Sequence, residues 1–331
     1  MKPAPASALF AGPFALATLS ASDGPQFPAL VTPDGQALDL RTALGDDRLT
    51  MLDVLDHWET VLPRLRTLAT DAGPARTPVA DLRVHAPVTP RQVFQSGANY
   101  RQHVIDLHVA HRAPGDDRPE SERRAEAAEI MDRRAADDLP YVFVGLPSAI
   151  TGPYDDVVLP AWAEQPDWEL ELAVVIGRPA HRVPVEEAAR YVAGYTIAND
   201  LTDRATVFRR DMPQIGTDWL RSKNAPGFTP LGPWIVPAES IADPDDLHVT
   251  LKLNGETMQD ESTKDMIFKV ARLVSYASQT ARLLPGDLVL TGSPAGNGMH
   301  WGRLLRDGDV MEGRVTGLGV QRTRCLAEAA P

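Results

Sequence analysis

The run Asp167-Trp168-Glu169-Leu170-Glu171-Leu172-Ala173-Val174-Val175-Ile176-Gly177 sets two carboxylates into a stretch that otherwise has the make-up of a buried strand. Successive side chains of a strand alternate faces, so Glu169 and Glu171 point the same way, close enough to share one cation. The same face continues as Ala173 and Val175, while Leu170, Leu172 and Val174 fill the other. A solvated strand keeps polar residues along its wet side. Here that side turns apolar at once, which places both carboxylates at the mouth of a buried surface, where anions are costly unless a metal or a base neutralises them. Two readings fit the run by itself: a metal-binding strand, and an edge strand with two solvated glutamates.

A second β-rich run, Tyr191 to Asp200, ends in a third carboxylate. Magnesium, manganese and calcium take oxygen ligands and leave positions open for water or substrate, so Glu169, Glu171 and Asp200 make a candidate site for Mg2+, or for Mn2+ or Ca2+.

These residues carry a resemblance. The chain resembles the fumarylacetoacetate hydrolase family in Gly97-Ala98-Asn99-Tyr100-Arg101-Gln102-His103, in the Glu169 to Gly177 strand, and in Gly194-Tyr195-Thr196-Ile197-Ala198-Asn199-Asp200. Further on it does so in Lys223, Pro230-Leu231-Gly232-Pro233-Trp234, Asn254-Gly255-Glu256, Asp265-Met266-Ile267-Phe268, Pro285-Gly286-Asp287 and Thr291-Gly292-Ser293-Pro294-Ala295-Gly296. The words follow the family's order from Gly97 to Gly296, well over half of the chain.

Whole-chain properties bound the partners. A chain of 331 residues, 43% hydrophobic and 24% charged, is long enough for one large globular domain and a smaller one. Its net charge of -12 and the lack of a basic stripe argue against a nucleic-acid partner. The single cysteine, Cys325, excludes a disulfide framework and fits a reducing cytoplasm. Lys2 precedes a mildly apolar run, Ala8 to Leu19, but Gly12 and Pro13 interrupt it, so Phe14 to Leu19 reads as a first strand and not as a leader. A turn at Pro33-Asp34-Gly35 leads to a second strand, Gln36 to Leu40. Leu52, Leu55, Trp58, Val61, Leu62 and Leu65 recur at helical spacing over Met51 to Ala69, where Pro63 should kink or split the helix. No stretch approaches transmembrane length. Residues 1–80 thus read as a small N-terminal α+β domain, with Thr70 to Val84 as linker and 85–331 as the catalytic domain. The many short strands after Asn199 make the fold class α+β and β-dominated. The resemblance implies a mixed β-roll and a homodimer.

His103 has Asp106 three residues later, a spacing that brings both onto one helical face, where the carboxylate can orient the imidazole. The resemblance implies a His-x-x-Glu pair that activates water, with the shorter Asp106 standing in here. No Asp or Glu lies between Arg91 and His103, so the fourth metal carboxylate of the larger family members is missing and the three-carboxylate branch fits. His108 and His111 are assigned to solvent. After Asp200 the family pattern Ser-x-Arg-Asp-x-Gln becomes Thr202-Asp203-Arg204-Ala205-Thr206-Val207, and a lysine usual before Pro-Pro-Ser-Ala becomes Gly145. Arg204 is kept; two polar contacts are lost, which implies a substrate whose far end is less anionic or larger. By the same resemblance Tyr100 and Ser293 are substrate contacts and Lys223 stabilises an enolate or carboxylate.

What the resemblance implies is metal-assisted hydrolysis of a carbon-carbon bond in a 1,3-dicarbonyl or 2-oxo acid, an acylpyruvate or a ring-cleavage product of aromatic catabolism. His103 would take the proton from water. The same electrostatics serve decarboxylation or keto-enol isomerisation, and a silent metabolite-binding homologue is the reading of another class. Finally, 15 of the 27 residues 112–138 are charged and the apolar ones are chiefly alanine, which predicts an exposed helix laced by Glu120 with Arg124 and Glu129 with Arg133, and makes the segment a candidate lid over the site.

Overall fold

The computed structural model describes residues 9–329 except Asp23, Ala72, Pro74, 111–117 and Ile215. The N-terminal part builds a five-stranded sheet from β1 (Ala15–Ser20), β2 (Phe27–Val31), β3 (Gln36–Asp39), β4 (Thr77–Pro78) and β5 (Arg83–Val84), in the order β4-β3-β2-β1-β5. The stretch read as a linker therefore contributes two short strands. The second strand of the reading stops one residue early, because Asp39 caps the short helix α1 (Leu40–Leu44) by accepting from the Arg41 N–H. The expected helix over 51–69 is present as α2 (Met51–Asp56) and α3 (Trp58–Thr70), but it breaks at His57 and not at Pro63. Thr50 and Asp53 form a capping box that starts α2, and the chain turns at His57. Pro63 remains inside α3, where the carbonyl it leaves unbonded belongs to Glu59 on the exposed side of the helix.

The rest of the chain continues through β6 (Val93–Gly97), α4 (Arg101–Ala110), α5 (Glu120–Asp137), β7 (Tyr141–Gly145), β8 (Ile150–Thr151), β9 (Val157–Leu159), β10 (Pro166–Asp167), β11 (Leu170–Ile176) and β12 (Val192–Asn199). After these come β13 (Thr202–Asp203), α6 (Trp219–Lys223), β14 (Thr229–Pro230), β15 (Val236–Pro237), β16 (His248–Leu253), β17 (Glu256–Ser262), α7 (Val270–Thr280), β18 (Leu288–Leu290), α8 (Gly298–Trp301), β19 (Val310–Val315) and β20 (Gly319–Ala327). A six-stranded mixed sheet has the order β15-β12-β11-β18-β6-β7, and a five-stranded one the order β17-β16-β19-β20-β9. Asn254 and Gly255, both at positive φ, join β16 to β17 as the tight hairpin that their sequence predicts.

The central strands β11 and β12 of the six-stranded sheet are buried on both faces. Ala173 and Val175 of β11 pack with Leu16, Leu30, Leu55 and Trp58 of the N-terminal part, whereas Leu170, Leu172, Val174 and Ile176 pack with Val249, Leu251, Met311 and Val315 of the other large sheet. The fold is α+β and β-rich. Among the described residues no helix is long and apolar enough to cross a membrane.

Candidate metal centre and active site

All seven residues of β11 are buried, and the strand lies between β12 and β18, so the edge-strand reading of its glutamates is overturned. Glu169 stands one position before β11 and Glu171 is its second residue. Antiparallel pairing with β12 sets Leu170 opposite Asn199 and lets the Asp200 N–H donate to the Glu169 carbonyl at 2.8 Å, which brings the third carboxylate beside the first two. Asn199 Oδ1 in turn accepts from the Glu169 N–H at 2.9 Å. One oxygen from each of Glu169, Glu171 and Asp200 lies within 4.8 Å of the others.

Two cations face these three acids. Lys223, at the end of α6, is 3% exposed and donates to Glu169 Oε2 at 2.9 Å, Asp200 Oδ2 at 2.6 Å and Thr202 Oγ1 at 2.7 Å. Arg204 donates from Nε to Asp167 Oδ2 at 2.8 Å and pairs through Nη1 with Glu169 Oε1 at 2.6 Å. Asp167 is itself fully buried and accepts from the Gly298 N–H at 2.5 Å, so the start of α8 anchors the arginine. Burial acts to raise the Glu169 carboxyl, but Arg204 and Lys223 outweigh it and hold the group at about 2. Burial pushes Asp200 up to about 6, with Lys223 offsetting part of the effect. Glu171 lies well above the usual carboxylate range, through burial first and then through the charges of Asp200 and Glu169. Lys223 is raised, because the attraction of Asp200 and Glu169 exceeds the opposing effect of burial.

A divalent ion fits this donor set. Glu171 Oε2 accepts the Gly292 N–H at 2.7 Å, while its Oε1 is buried with no hydrogen-bond partner. Four acids, Asp167 included, are set against two cations among the described residues, Lys223 and Arg204, which leaves an excess of negative charge and a free oxygen where a hard cation takes oxygen ligands.

The other predicted residues fall as follows. His103 is on α4, half-buried; burial lowers its pKa and Arg204 adds to that, against the pull of Glu169 and Asp106. Among the described hydrogen bonds none joins His103 to Asp106, whose Oδ1 takes Gln102 Nε2 at 2.9 Å and Arg124 Nη1 at 2.8 Å instead. The Arg124 that makes this contact belongs to α5, which also pairs Asp132 with Arg101 and packs on α4 through buried Ala127 and Met131. Glu120 pairs with Arg124 as predicted. Residues 112–117 of the candidate lid lie outside the described residues, as does His111; His108 is exposed. Tyr100 is fully buried, its phenol raised by burial and by the neighbouring Glu171 charge. Ser293 Oγ accepts from Gln259 Nε2 at 2.8 Å, so within this loop it is the Gly292 N–H that reaches the acidic cluster.

Three residues that hold the cluster carry no warning in the sequence pattern: Asp167, Thr202, and Gln95 of β6, which donates from Nε2 to Asp200 Oδ1 at 2.5 Å. Beside Lys223, Phe143 of β7 and Trp219 of α6 stack with ring centroids 4.5 Å apart, and the ammonium lies 5.7 and 5.9 Å from the two rings. Val207 is buried. A cavity of about 1110 Å³ is lined by Asp81, Arg83, Asp155 and Arg324 and includes none of these groups.

A family model described as fumarylacetoacetate (FAA) hydrolase C-terminal matches residues 92–325. The chain is 34% identical to the mitochondrial oxaloacetate tautomerase FAHD2A of Bos taurus over 289 residues, 86% of this chain and 82% of that protein. It is 43% identical to 2,4-didehydro-3-deoxy-L-rhamnonate hydrolase of Sphingomonas sp. (strain SKA58) over 186 residues, 55% of this chain and 64% of the other. Among solved structures, 5-carboxymethyl-2-hydroxymuconate delta-isomerase from Mycobacterium smegmatis matches with a TM-score of 0.65 and 28% identity, covering 95% of this chain and all of that one.

Proposed function

Because this chain belongs to the fumarylacetoacetate hydrolase family, we propose that it is a divalent-metal-dependent hydrolase that cleaves a carbon-carbon bond of a 1,3-dicarbonyl 2-oxo acid. The observation that carries this reading is the cluster of Glu169, Glu171 and Asp200, with one buried oxygen unpartnered and a half-buried histidine, His103, on α4. These three carboxylates would hold Mg2+ or a similar ion, whose chemistry there is Lewis-acid stabilisation of negative charge developing on substrate oxygens.

The chain's own groups do the rest. Arg204 Nη2 is buried without a partner and is a charge-assisted donor for the carboxylate of a 2-oxo acid. His103 accepts a proton from water at a ring nitrogen; the hydroxide oxygen bonds the distal carbonyl carbon. The carbon-carbon bond then breaks with its electron pair on the 2-oxo fragment, which Lys223 stabilises by charge and which His103 reprotonates. Phe143, Trp219 and Val207 offer apolar surface to the substrate's far end, in keeping with the two polar family contacts replaced by Val207 and Gly145. Substitution of His103 by alanine is expected to lower hydrolysis of an acylpyruvate by about 100-fold or more while metal affinity stays as it was; an equal loss of affinity would reassign His103 to the ligand shell.

A second reading, keto-enol isomerisation of a 2-oxo diacid, is favoured by the engagement of Asp106 with Arg124 and Gln102, which leaves His103 without an orienting carboxylate. The bovine relative is named for tautomerase chemistry of this kind. Assaying acylpyruvates, oxaloacetate and ring-cleavage dioxo acids with magnesium and with manganese separates the two: release of pyruvate together with the carboxylic acid of the acyl group supports hydrolysis, enol-keto conversion without carbon-carbon cleavage supports isomerisation, and pyruvate with carbon dioxide from oxaloacetate is decarboxylation and supports neither. The reading includes a homodimer, supported by the exposed apolar residues Leu139, Tyr141, Val144 and Leu146 along edge strand β7.

A further inference from the structure

Gln95 touches the acidic cluster from a part of the chain 105 positions away. It is 1% exposed, and its Nε2 bonds Asp200 Oδ1 while Lys223 holds Oδ2, so the carboxylate is fixed from two sides, by an ammonium and by a neutral amide. The amide has only one tenable orientation: reversed, it would set its carbonyl oxygen against the carboxylate. On the neighbouring strand β7, Gly145 lies directly against this amide, and a Cβ there would stand 2.5 Å from Gln95 Oε1 and 2.8 Å from its Cδ. Gly145 is not among the residues at positive φ, so the backbone does not demand glycine; the space taken by the Gln95 amide does. An alanine at 145 can be admitted only if the amide moves, and a buried amide held at one end by Asp200 moves by releasing it.

We propose that Gln95 and Gly145 are a matched positioning pair that pre-orients Asp200 for a divalent ion. The proposal rests on the reading that Glu169, Glu171 and Asp200 bind such an ion. A neutral donor suits the task, since Lys223 and Arg204 already offset half of the four acids and a third cation would halve the remaining charge that attracts the metal. Outer partners of this kind fix the direction of a ligand's lone pairs before the ion arrives.

The test is a titration of the chelator-stripped full chain with manganese, reading free Mn2+ by electron paramagnetic resonance, with a melting curve of each metal-free variant. Gln95→Met, which fills the same space without the donor, is expected to weaken manganese binding about 10- to 100-fold with little change in melting. Gly145→Ala is expected to weaken it comparably in the wild-type background and to have no further effect in a Gln95→Ala background, where the space is free. A Gly145→Ala effect of the same size in both backgrounds, or unchanged affinity in Gln95→Met, overturns the pairing. Failure of the wild-type chain itself to bind manganese overturns the metal reading on which the pairing rests, and is recognised before any variant is compared.

Discussion

Replacing Glu171 with alanine abolishes divalent-ion binding and turnover together: the expected loss of affinity exceeds the roughly 10- to 100-fold that removal of an outer-shell partner costs. Glu169 and Asp200 have both oxygens engaged by Arg204, Lys223 and Gln95, each with a lone pair to spare, so the unpartnered Oε1 of Glu171 is the one carboxylate oxygen of the three that meets an incoming ion with no protein donor on it. Calorimetric titration with magnesium measures the effect, and unchanged affinity removes Glu171 from the ligand set. The isosteric Glu171→Gln adds a signature of opposite sign. Burial and two neighbouring anions oppose the Glu171 charge, so the metal-free Gln variant melts no lower than the wild type even though it has lost its ion.

The second large effect belongs to Lys223. Its ammonium is the shared counter-charge of Glu169 and Asp200 in a site almost closed to water, and removal of one partner from a buried ion pair strands the other. Lys223→Met is therefore expected to destabilise the metal-free protein by about 3–5 kcal/mol. Added divalent ion restores part of this, by about 1.4 kcal/mol for each tenfold excess over its dissociation constant. Urea unfolding with and without magnesium reads both quantities. Equal stability of the wild type and Lys223→Met without metal would mean that the two acids are neutral there and that the lysine is not their counter-ion.

What could be read from the chain beforehand is what local geometry dictates. The two-residue period of a strand puts Glu169 and Glu171 on one face whatever the strand pairs with, and Asn254-Gly255 makes a tight hairpin because those two residues tolerate positive φ. The helix carrying His103 and the helix starting near Glu120 were legible for the same reason. Tertiary relations were not. Nothing near Asp106 announces that Arg124, 18 positions on, will take its carboxylate, and nothing near Val93 to Gly97 says that Gln95 will meet Asp200. Pro63 was over-read because its cost depends on which residue is left without its donor, and here that is Glu59, an exposed residue in the first turn of α3. In the Thr291 to Pro294 loop the side chain drew the eye, whereas the contact with Glu171 is made by the Gly292 backbone, which every residue type but proline can offer.

The order of strands in the six-stranded sheet has a kinetic consequence. Parallel pairing of β18 with β6 joins Leu288 to Val93, and the Gln92 N–H that steadies the junction reaches Asp287, 195 positions on. Glu171 waits on Gly292 across 121 positions, and Asp200 on Gln95 across 105. Contacts between parts of the chain so far apart must be preceded by closure of long loops, which slows the search for the native state. The acidic cluster is complete only after that search has ended. A cation that recognises the finished cluster therefore leaves the refolding rate nearly unchanged and acts on the reverse step, lengthening the lifetime of the native chain.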